Sequence, residues 1–131
     1  MINLNLNQIN LDAEINGIWV DYPNTKIKFK IARMNNKNYT KQLIKMRDEY
    51  PADEVLTEEQ STLILAEIYA SSILIDWEGI ELDGDVTEYN KTIGMEFFTD
   101  VRYRETHKFI LDASSKSNDY YEKSKEITKK K

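Results

Sequence analysis

The chain has 131 residues and a formal net charge of -5, long enough for one domain with a buried core. The acidic balance argues against nucleic acid as the main partner, because neutralising phosphates needs a basic patch. With no cysteine there is no disulfide, no thiolate nucleophile and no cysteine zinc site.

Residues 1–16 are rich in Asn and carry Ile2, Leu4, Leu6 and Ile9. Asn is a poor strand former, so this stretch reads as a flexible N-terminal arm. It has neither the basic start nor the apolar centre of a secretion signal. Residues 17–121 are expected to form a single globular domain. Its first element is a β-hairpin over residues 17–32. Gly17-Ile-Trp-Val-Asp-Tyr22 supplies one strand, Pro23-Asn24-Thr25 the turn, and Lys26-Ile-Lys-Phe-Lys-Ile31 the other. Ile27, Phe29 and Ile31 alternate with lysines, which gives one buried and one solvated face.

Asn36 is placed to cap a helix from Lys37 to Glu49, with Tyr39, Leu43, Met46 and Tyr50 on one side and Pro51 ending it. A capping box, Thr57-x-x-Gln60, then opens the most apolar stretch of the chain. From Leu63 to Ile75 there is little polar relief, and the pattern predicts a central helix over 58–76, buried on most sides. Leu65→Asp is therefore expected to unfold the domain. The run is too short and too interrupted for a membrane span. Residues 76–88 read as an acidic loop broken at Gly79 and Gly84. Thr87 is expected to cap a short helix through Ile93, Met95, Phe97 and Phe98. A last helix runs from Thr99 or Asp100 to about Tyr121, and residues 122–131 read as a charged, disordered tail. The expected fold class is α+β: mainly helical, about four helices with an N-terminal β-hairpin.

No residue pattern marks a catalytic site. His107 is the single histidine, and nothing in the sequence brings it a nucleophile or a carboxylate partner. It reads as a satisfied core or interface histidine. The acidic loop (Asp76, Glu78, Glu81, Asp83, Asp85, Glu88) lacks the ligand spacing of a calcium loop and reads as solvated. There is no phosphate-binding glycine loop and no G-x-S-x-G. The chain is read as a non-enzyme with no cofactor and no bound metal.

Gly17-Ile-Trp-Val-Asp-Tyr-Pro23, Phe29-Lys-Ile-Ala-Arg-Met-Asn-Asn36 and Tyr39-x-Lys41-x-Leu43 together resemble the N-terminal half of tail assembly chaperones of long-tailed (siphovirus-type) phages. Ile75-Asp76-Trp77-Glu78-Gly79 and the Asp83-Gly84 turn with Val86-Thr87-Glu88-Tyr89-Asn90 are similar to that family's second half. The likeness spans roughly residues 17–112. The chain departs from the family at Lys37, where the family often has proline, and in 86–90, where a Pro-Tyr-Ser stretch is missing.

The resemblance implies a phage or prophage protein of virion morphogenesis. It would act during tail assembly in the host bacterial cytoplasm and be absent from the mature virion. Such chaperones are thought to bind the tape-measure protein, keep it soluble and help recruit tail-tube protein subunits. In related phages the gene is often read past its end by a frameshift, and Lys129-Lys130-Lys131 is compatible with a slippery site. The alternative is a structural head–tail connector or tail-completion protein. Aromatics give large contact area at low entropic cost, so Trp19, Trp77, Phe97 and Phe98 are the expected partner-binding residues. Aromatic edges and the apolar helix also suggest a homo-oligomer, with a dimer as the default.

Overall fold

The computed structural model describes residues 8–51 and 55–122. The fold is α+β, with the hairpin near the N-terminus that the alternation predicts. Strands β1 (Ile18–Asp21) and β2 (Lys28–Ile31) pair antiparallel, and the turn between them places Asn24 at φ 64°, a conformation Asn tolerates better than most residues. Helices α2 (Lys37–Glu49) and α3 (Glu58–Ser72) begin where their caps foretell. The Asn36 side chain accepts the Tyr39 amide at 3.0 Å. Thr57 and Gln60 bond reciprocally, satisfying two amides that a helix start leaves without partners.

Four expected elements come out differently. Helix α3 stops at Ser72, and Leu74–Glu78 becomes a third strand, β3, antiparallel to β2. The short apolar run Ile73-Leu74-Ile75 suits either state, and local bonds decide. Buried Asn36 donates to the Ser72 carbonyl at 2.8 Å, and Ala32 donates its amide to the Ile73 carbonyl at 2.8 Å. The chain leaves the helix at the point where β2 offers it a ladder.

Residues 11–16 are the second difference. They form α1 (Leu11–Asn16), capped by Asn10 and ended at Gly17, where an arm was expected. Arg33 holds the Glu14 carboxylate at 2.8 Å, and the Arg33 amide bonds the Glu14 carbonyl. Residues 1–7 of the expected arm and 123–131 of the expected tail lie outside the described residues.

Third, α4 (Lys91–Thr99) is capped by Asn90. Thr87 instead closes a small hairpin of β4 (Glu81–Leu82) and β5 (Asp85–Val86), donating its amide to the Ile80 carbonyl. Its turn residues Asp83 and Gly84 both have positive φ, as a tight hairpin turn requires. Finally, a single 3-10 turn precedes α5 (Arg104–Ser114). Helix α5 ends seven residues short of the expected Tyr121, and a second 3-10 turn follows.

The core lies between the inner face of the sheet and α3, α4 and α5. Phe29, Ile31, Ile73, Leu74 and Ile110 are fully buried in it. The buried Tyr120 hydroxyl donates to the Ile31 carbonyl at 2.9 Å, which ties the end of the described chain to the central strand.

Candidate interaction surface

The four aromatic residues expected at a partner surface divide three to one. Trp77 is 4% exposed, and Phe97 and Phe98 are also buried. Trp77 packs edge-on against Tyr89 and Phe97, with ring centroids 5.0 and 5.5 Å away, and its indole N–H donates to the Thr87 carbonyl at 2.8 Å. A ring this enclosed and hydrogen-bonded is a core residue. Trp77, Phe97 and Phe98, expected at a partner surface, lie inside the core of the single chain. An aromatic at a helix end suggested partial exposure, but β3, which begins two residues after α3, carries Trp77 into the core instead.

Trp19 alone of the four is open to solvent, at 43% exposure. Strand registry puts it in a row with Lys30 and Asp76, beside a second row of Asp21, Lys28 and Glu78. Alternation along each strand places all six on the outer sheet face. Opposite charges neighbour one another in both rows, and Trp19 closes the first row at the edge.

A second surface is apolar. The N-terminal half of α3 stands away from the core, leaving Leu63 and Leu65 54% and 45% exposed. Leu43 and Ile44 of α2 are also exposed. An open groove of about 540 Å³ runs between α3 and the end of α4, lined by Glu58, Glu59, Thr62, Leu63, Thr99 and Val101. Glu67 ties the helices together beyond it, bonded to Lys45 of α2 at 3.1 Å and 3.9 Å from Lys91 of α4. Sequence periodicity missed this surface because apolar residues occupy nearly every side of the run from Leu63 to Ile75. What separates its exposed half from its buried half is the smaller residues Ala66, Ala70 and Ser72, which let α3 approach the core.

His107 is held against the end of α4. Its Nε2 bonds the Phe97 carbonyl at 2.6 Å, near the end of α4, and its ring packs on Phe97 and Phe98. Burial pushes its pKa below the usual histidine value, against the opposing effects of the Phe97 bond and Asp100. Asp100 is itself held low by hydrogen bonds from Arg102. Among the described residues no cluster of histidine and carboxylate side chains is arranged to hold a metal ion. No helix among them is long and apolar enough to cross a membrane.

No curated protein and no solved structure matches the chain. A family model described as YdaY prophage protein matches residues 34–131, beginning just after β2 and taking in all of α2 to α5. Because that match covers well over half of the chain, the protein belongs to the YdaY prophage protein family.

Proposed function

We propose that this prophage protein is a non-catalytic tail assembly chaperone that binds helical segments of a tape-measure protein and keeps them soluble. The observation that carries the reading is the exposed apolar half of α3, where Leu63 lines the groove and Leu65 is open to solvent. An amphipathic helix docks into such a groove through apolar residues at i, i+3, i+4 and i+7. Glu58 and Glu59 at its rim favour a client with basic flanks. The ordered likeness of residues 17–112 to tail assembly chaperones supports the same role. The contact residues in this reading are Leu63, Leu65 and Val101.

Co-expression with the tape-measure protein of the same phage tests the proposal. The expected result is a soluble tape-measure protein in the presence of the chain and an insoluble one in its absence. A Leu63→Glu, Leu65→Glu double variant that stays folded is expected to lose the effect. Equal tape-measure solubility with and without the chain overturns the reading.

A further inference from the structure

The two edges of the three-stranded sheet, β1 and β3, are built differently. At the β3 edge, the Trp77 amide is taken by the Asp76 carboxylate at 2.8 Å, and the register with β2 is interrupted between Lys30 and Ile31. A local side-chain bond and a bulge are both devices that stop a strand from pairing further. At the β1 edge neither device is present. Tyr22 donates its amide to the Ile27 carbonyl at 2.9 Å, so Tyr22, Val20 and Ile18 turn their backbone groups toward β2. Antiparallel ladders alternate; Trp19 and Asp21 therefore turn their N–H and C=O groups outward. No turn, loop or cap bond among the described residues uses those four groups, and the strand order β1-β2-β3 gives β1 a strand partner on one side.

We propose that β1 pairs with β1 of a second copy of this chain, antiparallel and about a two-fold axis, to make a continuous six-stranded sheet. The sequence around β1 selects one register. With Val20 opposite Val20 of the second copy, each Trp19 faces an Asp21, and all outward groups of both residues are bonded across the seam. Sliding the register two residues one way sets Asp21 against Gly17, whose amide is already given to the Ala13 carbonyl at 3.0 Å. Sliding it the other way sets Asp21 against Asp21 and Trp19 against Pro23, which has no N–H to give. Only the Val20-centred register is free of both faults.

Side chains agree with this choice. Across the seam the outer face then reads Asp76, Lys30, Trp19, followed by Asp21, Lys28 and Glu78 of the second copy. No like charges meet at the join. On the inner face the half-buried Ile18, Val20 and Tyr22 gain apolar neighbours. The seam is short beside the roughly 1,200–2,000 Å² of a standard stable interface, so the dimer is expected to depend on concentration. This inference stands apart from the chaperone reading, which rests on α3.

Sedimentation of the full chain over a range of concentrations, with a cysteine cross-link, tests it. The chain has no cysteine of its own, and facing residues on an antiparallel pair lie within disulfide reach. Val20→Cys is expected to give a covalent dimer under mild oxidation, while Leu65→Cys stays monomeric. Trp19→Pro removes an outward N–H from each copy and leaves the ladder to β2 intact. It is expected to weaken dimerisation by about tenfold or more. If Trp19→Pro fails to fold, the cross-link alone decides. A monomer at every concentration overturns the proposal. So does a dimer that survives Trp19→Pro without a Val20→Cys cross-link, or one that forms only after residues 1–7 are deleted.

Discussion

The two tryptophans sit on the same small sheet and live in opposite environments. Trp77 is on β3 and points inward, enclosed by Tyr89 and Phe97 and hydrogen-bonded to Thr87. Trp19 is on β1 and points outward, 43% exposed, at the end of a charged row. Each is one residue in an alternating strand, so face is set by register alone. What differs is what lies over the face: α3, α4 and α5 cover the inner side, while among the described residues the outer side leaves Trp19, Asp21, Lys28 and Glu78 exposed. An aromatic residue therefore says little about function until its strand has been placed.

The largest effect is expected at the covered ring. Trp77→Ala removes a buried indole and leaves the Thr87 carbonyl without its donor. Loss of about 3–5 kcal/mol of stability is expected, a large share of a small domain's total. Urea denaturation measures it. A change below about 1 kcal/mol would mean that the Trp77 cluster is not the core.

The same cluster carries a pH dependence. His107 packs on Phe97 and Phe98, and its folded pKa lies below the usual histidine value because burial disfavours the charged ring. Between those two values the unfolded chain binds more protons than the folded one, so stability falls as pH falls. The contribution is complete above the unfolded histidine value and is lost as pH drops through the folded one. Thermal melts from neutral to mildly acidic pH are expected to show the decline. In His107→Gln that part of the decline is expected to disappear, leaving what the carboxylates contribute.

Much of the fold was legible in local chemistry. The caps at Asn36 and Thr57 and the lysine alternation of β2 are short-range signals, and short-range bonds satisfy them. The end of α3 was not legible, because Ile73-Leu74-Ile75 suits helix and strand alike. Its fate depends on Asn36 and Ala32, far away in sequence. Helix α1 was hidden in an Asn-rich stretch whose cap, Asn10, looked like one more polar residue. The candidate surface was hardest to read, since a run that is apolar on nearly every side carries no mark of which half is covered. Leu65 illustrates the cost of that ambiguity. The sequence predicts that Leu65→Asp unfolds the domain, but Leu65 is 45% exposed. The expected change is now within about 0.5 kcal/mol, the usual range for a surface position, and a melting curve beside that of Trp77→Ala measures the contrast.

The smallest effect on stability is expected at the open ring, which makes Trp19 the clean probe of the comparison. Trp19→Phe keeps an aromatic on the outer face and touches no core contact, so stability is expected to stay within about 0.5 kcal/mol. The chain holds only two tryptophans, so the variant leaves Trp77 as the sole indole emitter. Its emission is expected to shift to shorter wavelength and to resist an aqueous quencher, because Trp77 is 4% exposed. The wild-type chain at low concentration is expected to show a second, readily quenched component from Trp19. That component gains a further use if β1 pairs with a second copy, since the strand that adds beside Trp19 covers part of the ring. Quenching of the wild-type chain is then expected to fall as concentration rises, while Trp19→Phe shows no such dependence. Equal quenching of both indoles at low concentration would mean that the two faces of the sheet are not distinguished by solvent at all.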